Sequence, residues 1–285
     1  MPLVETLPYS PWRERGGVVD GEFRWRLGAR PLDLANWIEF GSDADGPAGW
    51  IAEKATVLDA HHATAFAAID GIEAEGSEVA DALVDHLATH APDRNRALDP
   101  TLHPLEAVSR LVPEDLLVMV ERDGQLVFGG GSVCFPNRWH LPSKLGLTMS
   151  EVHSPVSRLN NQLEQGVDSF LNRLRPGRSF WRLGWGIIDV PDGYTPPDGS
   201  GPARPNDPQP VDLFVRVERE TLRRFPNTNC VLFTIRTYIA PMRSVLADQE
   251  SAVALAAALR AMTSDVREYK DLIALADPLA AVLLV

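Results

Sequence analysis

An α+β fold, with an antiparallel sheet and helices on its side, is what this sequence predicts, and three observations carry it. Strand-type runs crowd the second half of the chain, at Asp115–Glu121, Gln125–Gly129, Phe180–Val190, Val211–Val217 and Cys230–Tyr238. The first two flank Arg122-Asp123-Gly124, where Asp-Gly accepts the positive φ of a tight turn, and strands joined by such a hairpin cannot be parallel. Short helices and one longer helix separate the remaining strands, a pattern that favours helices packed beside an antiparallel sheet.

Each element has its own signal. Residues 1 to about 59 mix Pro, Gly and aromatics, including Trp12, Phe23, Trp25, Trp37, Phe40 and Trp50, and read as a segment that wraps a core. Within it Phe23–Leu27 alternates like a short strand and Leu32–Ile38 fits a helical turn. Glu78 to Ala91 places Val79, Leu83 and Leu87 on one helical face before Pro92 stops it. Pro104 to Val112 opens with Pro and is followed by Pro113, as a short helix would be. Leu159, Leu163, Val167, Phe170 and Leu174 recur at helical spacing until Pro176-Gly177. Pro191–Pro210 is dense in Pro, Gly and Asp and reads as a long surface loop or lid. Glu220–Phe225 reads as a short helical piece joining the last two strands. An Ala/Leu-rich helix closes the pattern at about 249–263. No internal repeat divides the chain, so residues 1–285 are taken as one domain.

Composition removes several function classes. A formal net charge of −12 is the wrong sign for nucleic acid or for anionic membranes. Two cysteines, Cys134 and Cys230, are too few for a four-Cys iron–sulfur or structural zinc site within this chain. They give no disulfide framework, which fits a reducing compartment. No apolar run approaches the roughly 20 residues that span a bilayer, and the first residues lack a signal-peptide pattern. A cytoplasmic protein is expected. There is no G-x-S-x-G elbow, Walker loop or G-x-G-x-x-G, and Gly129-Gly130-Gly131 lies inside a strand run.

The residues that can carry chemistry are few. Thr148-Met-Ser-Glu151 fits a capping box, and His153 follows two residues later, just before Ser154-Pro155 ends the helix. A histidine so placed has a defined direction, suited to an iron or to proton transfer, although from spacing alone a His bonding a backbone carbonyl in a polar bend is the commoner case. His86 and His90 stand at i, i+4 but without an H-E-x-x-H pattern, and they read as a surface pair. The run Arg216-Val-Glu218-Arg219-Glu220-Thr-Leu-Arg223-Arg224 is dense in charge for an acidic chain. It is either the wall of a polar pocket or a solvated helix with pairs such as Glu220–Arg224.

The ordered set Glu114-Asp115-Leu116, Val133–Pro136, Trp139, Lys144–Gly146, Val152–Val156, Glu218–Pro226 and Phe233–Tyr238 resembles the haem-dependent oxidative N-demethylase family, from about Phe23 to Lys270. The resemblance implies a PAS-like fold with N-terminal and C-terminal extensions, haem b, and the catalytic subunit of an NADPH-linked dimethylamine monooxygenase. Electrons would arrive from separate flavin and iron–sulfur (2Fe-2S) reductase subunits, and O2 would be the co-substrate. It implies His153 as axial ligand to the iron, with Lys144 and Trp139 at the cofactor. Arg219, Arg223, Arg224 and Glu218 would be the catalytic or distal residues. The sequence departs from the family pattern at Glu220, where Gln is expected, at Gly184, where Asn is expected, and at Ser157, where Pro is expected. The competing expectations are a haem-binding gas or redox sensor of PAS-like fold and a haem-free interaction domain.

Overall fold

Strand pairing organises the computed structural model, which describes residues 4–14, 18–19, 22–23, 27–41, 49–152, 167 and 169–284. Among these residues, a two-stranded ladder joins β1 (Val18–Val19) to β2 (Glu22–Phe23). The main sheet has seven strands: β3 (Arg30–Pro31), β4 (Phe66–Ala68), β5 (Asp115–Arg122), β6 (Gln125–Ser132), β7 (Ser179–Ile188), β8 (Phe214–Arg224) and β9 (Val231–Pro241). Their spatial order is β3-β7-β8-β9-β5-β6-β4, and every pairing is antiparallel. With helices packed beside this sheet, the fold is α+β, as the hairpin logic predicts.

The Asp-Gly turn forms as expected: Asp123 and Gly124 have φ of 51° and 77°, the left-handed values that a two-residue hairpin needs. The glycines of β6 have a different reason. A Cβ on Gly130 would stand 2.9 Å from the Ala67 carbonyl oxygen, and one on Gly131 would stand 2.7 Å from that of Leu116. Both neighbouring strands therefore close on β6 more tightly than a side chain permits.

Two expectations are corrected. Glu220–Phe225 is not helical; it belongs to β8, which runs unbroken to Arg224 and pairs along its whole length with β9. The charge density that suggested a solvated helix is stitched into the sheet, with alternate side chains taking partners on opposite faces. His86 is not a surface residue. The helix holding it runs Glu73–His90, and His86 is buried with its ring edge-on to Trp37 at 5.4 Å. Burial, reinforced by His90 and Arg223, lowers its pKa to about 4. No third metal-ligating side chain joins His86 and His90 among the described residues.

The two faces of the sheet are used differently. On one face, Val79, Leu83 and Leu87 of the Glu73–His90 helix pack with Leu116, Val118 and Leu232. On the same face the helices Gln249–Ala261 and Ala276–Val282 cover Val215, Val217 and Tyr238. A strap of residues 34–41 is fastened to this face: Arg219 donates to the carbonyls of Asn36 and Trp37, and Arg236 donates to that of Glu39. Glu39 in turn accepts from Tyr9 and Tyr238 at 2.5 and 2.6 Å. Among the described residues no helix is long and apolar enough to cross a membrane.

Candidate functional site

Among the described residues, the opposite face leaves a strip partly exposed in the middle of the sheet. Directly paired residues share a face, so Leu117, Phe233, Ile235, Glu218, Arg182, Gly184 and Gly186 all project to the same side. Each of them is partly exposed, in the middle of the sheet. An apolar cluster closes each end of this strip. Phe135, Ile188, Tyr194 and Ile239 pack with Trp50 at one end, and Met119, Phe128, Leu141, Leu222 and Val231 pack at the other. A Cβ built at Gly186 meets no atom within 4 Å. The strip is apolar at Leu117, Phe233 and Ile235 and charged toward β7 and β8.

The charged half is ordered by ion pairs. Glu220 is 5% exposed, and its Oε2 accepts from Arg182 Nε at 2.5 Å. Burial pushes its carboxyl up, against the pull of Arg182. Glu218 Oε1 accepts from Arg216 Nε at 2.7 Å, and Arg216 also donates to the Phe135 carbonyl and to Thr237. Lys270 donates to the Trp185 carbonyl at 2.7 Å beside this group. Burial lowers its pKa to about 8, and Glu218 works the other way. These pairs favour one geometry, because separating Glu220 from Arg182, or Arg216 from its acceptors, strands a buried ion away from water.

The wall beside the strip is the segment that leaves β6. Asp115 accepts the backbone N–H groups of Cys134 and Phe135 at 2.8 and 3.0 Å, fixing the turn of the chain. Burial raises Asp115 to about 6, although the nearby Lys54 and these donors oppose the rise. Trp139 then packs edge-on to Phe128 at 5.8 Å, in the cluster that also holds Leu145, Val152 and Phe233. The capping box is present: the Thr148 N–H donates to Glu151 Oε2 at 2.8 Å and the Glu151 N–H donates to Thr148 Oγ1 at 3.3 Å. The helix it opens spans Met149–Val152. Lys144 Nζ donates to the Val152 carbonyl at 3.4 Å.

His153 lies outside the described residues, as do Leu159, Leu163 and Ser157. Its predecessor Val152 is partly buried against the same cluster as Trp139 and Phe233. The structure therefore brings Trp139 into the cluster at one end of the strip and Glu218 onto the strip, with Lys144 held at Val152, but it divides the arginines. Arg219 turns to the helix-covered face, where it is spent on Asn36, Trp37 and Glu39. Arg223 also leaves the open face, with its guanidinium 4.5 Å over the Trp37 ring. Arg224 sits at the strand end, bonded to the Asn229 and Leu171 carbonyls. There it lines a separate groove of about 360 Å³ with Glu121, Asn172, Arg175 and Asn229.

Arg182 and the bare position Gly186 escape a reading of the sequence as functional residues, and so does the shared face of Arg216, Glu218 and Glu220. Their signal was the period of two in β8, which places 216, 218, 220, 222 and 224 on one face. Assigning Glu220–Phe225 to a helix hid it. Both cysteines are buried core residues, and burial lifts their thiols to about 12 and about 11, out of reach of nucleophilic chemistry. Compared with known families, residues 28–280 match the model described as haem-dependent oxidative N-demethylase, alpha subunit-like.

Proposed function

The chain belongs to the haem-dependent oxidative N-demethylase, alpha subunit-like, family, and from that premise we propose that it is the haem-carrying subunit of an enzyme that demethylates a small secondary amine. The observation that carries the reading is the open strip on the sheet. A macrocycle needs a flat apolar seat with cations at its carboxylate edge. Leu117, Phe233 and Ile235 supply the seat, Gly186 leaves it clear, and Arg182 and Lys144 border it. The residues present fit the group.

In this reading His153 is the side chain that holds the iron, and Trp139 and Lys144 shape its pocket. Lys144 has a positioning part, because it holds the Val152 carbonyl immediately before the histidine. Haem, when bound, supplies the oxidation of the N-methyl carbon that no side chain here can perform. The chain's own contribution is binding and orientation. Arg216 and Arg182 fix Glu218 and Glu220, and these carboxylates offer a cationic amine its counter-charge inside a pocket of low dielectric. The cationic role expected of Arg219 and Arg223 passes to Arg182 and Arg216, which face the strip. Electron delivery is assigned to flavin and iron–sulfur subunits, since the two buried cysteines of this chain provide no cluster site.

Haem titration of the purified chain tests the proposal. Wild type is expected to bind one haem with a defined Soret band and, with a reductant, O2 and dimethylamine, to release formaldehyde. His153→Ala should lose or shift that band while keeping its thermal midpoint within a few degrees. An unchanged Soret band and full occupancy in the variant would remove His153 from the iron.

A further inference from the structure

Among the described residues, the guanidinium at the end of β8 keeps a buried donor without an acceptor. Arg224 is 6% exposed. Its Nη1 donates to the Asn229 carbonyl at 2.8 Å and to Asn229 Oδ1 at 2.9 Å, and its Nη2 donates to the Leu171 carbonyl at 2.7 Å. Its Nε is buried and has no hydrogen-bond partner. A buried N–H left unpaired is destabilising unless something completes it. Arg224 lines a groove of about 360 Å³, a volume within the range of small-molecule sites. Nε and Nη2 lie side by side on a guanidinium, and that edge is one a carboxylate takes in a bidentate pair.

The groove carries both signs of charge. Arg175 lines it from an exposed position, and its guanidinium is bonded to no described residue. Glu121 lines it too, with Oε2 accepting from Asn229 Nδ2 at 3.1 Å. One amide, that of Asn229, therefore meets Arg224 through its oxygen and Glu121 through its nitrogen. A cation and an anion are thereby held a small molecule's width apart. Leu126 and Leu174 add apolar lining. Glu121 disfavours a plain anion such as phosphate, whereas a ligand with both charges meets a complement at each end. None of these side chains has a part in the proposed haem site, so the groove is independent of the N-demethylase reading.

We propose that this groove binds a small aliphatic α-amino acid, with its carboxylate on Arg224 and Arg175, its ammonium on Glu121 and its side chain on Leu126 and Leu174. Rejection of analogues follows from the same contacts, because a ligand lacking one charged group strands the residue built to meet it.

Titration calorimetry of the chain, haem-free and haem-loaded, tests this with L-leucine, with 4-methylpentanoate, which is the same skeleton without the ammonium, and with inorganic phosphate. Wild type is expected to bind L-leucine saturably, and about tenfold or more tightly than either of the others. Glu121→Gln should weaken L-leucine about tenfold while leaving 4-methylpentanoate no weaker, since only the zwitterion uses that carboxylate. Arg175→Ala should weaken both. Glu121 and Arg175 are exposed, so both variants should melt with wild type, and they keep the test open if the buried Arg224→Lys fails to fold. A folded Arg224→Lys should lose L-leucine binding. Absence of saturable L-leucine binding, equal affinity for phosphate, or wild-type L-leucine affinity in Glu121→Gln or in Arg175→Ala would overturn the site.

Discussion

His86 is a buried imidazole against Trp37, with His90 and Arg223 as its charged neighbours. Its pKa falls from the usual 6.5 to about 4, so the folded state keeps it neutral where the unfolded chain protonates it. Between those values the unfolded state binds more protons, and stability therefore rises with pH across the window and is lost as pH falls through it. Urea denaturation of wild type at pH 5 and pH 7.5 should show lower stability at pH 5 from this group. His86→Leu, which cannot titrate, should narrow that gap; an unaltered gap would mean His86 is not a source of the pH dependence. At this scale the sequence was partly legible. Trp139, Lys144 and the Thr148–Glu151 box stand out by type and spacing. Arg182 and Gly186 do not, because an ordinary strand of mixed residues becomes a site only once its partner strand defines which side it faces.

The β5–β6 hairpin and β8 show what can and cannot be read at the level of an element. Asp123-Gly124 announces the hairpin because few other residues accept left-handed φ values. The glycines two turns of the pleat further on have no such local signature, and their need comes from Leu116 and Ala67 on neighbouring strands. Gly131→Ala forces a Cβ to within 2.7 Å of the Leu116 carbonyl oxygen, where only backbone movement relieves the clash. A loss of about 1–3 kcal/mol is expected, as for overpacked cores, and equilibrium denaturation measures it. A change below about 0.5 kcal/mol would show that β5 yields freely. In β8 the difficulty was charge. Six charged residues in Arg216–Arg224 argue for solvent, yet Arg216, Arg219, Glu220 and Arg224 are buried because each has a partner from another element. Those partners are 38 to 183 residues away along the chain, beyond any local pattern.

Across the whole molecule the class of fold was legible and its fastening was not. The sheet's antiparallel character follows from one hairpin and the crowding of strands, whereas the strap and the first described residues are pinned by tertiary ion pairs. Glu5 accepts from Arg236 in the sheet interior at 2.9 Å, its N–H donates to the Ile239 carbonyl, and Trp12 Nε1 donates to Ser251. Deleting residues 1–14 leaves the fully buried Arg236 without its carboxylate and uncovers Trp185, which packs edge-on to Trp12 at 5.9 Å. Breaking a buried pair from one side is destabilising by about 3–5 kcal/mol, so the truncated chain should melt many degrees lower. Retention of the wild-type thermal midpoint would show that the pair contributes little.

The Glu5–Arg236 pair also sets an order of events during synthesis. A ribosome releases Glu5 and Trp12 first, but Arg236 on β9 and Ser251, which receive them, emerge more than 200 residues later. At about 5–20 residues per second, these early residues wait ten seconds or more for their partners. During that interval no native contact with β9 can shelter them, and chaperone capture has its widest opening. The last strands to be made, rather than the first, decide when this protein becomes a folded one.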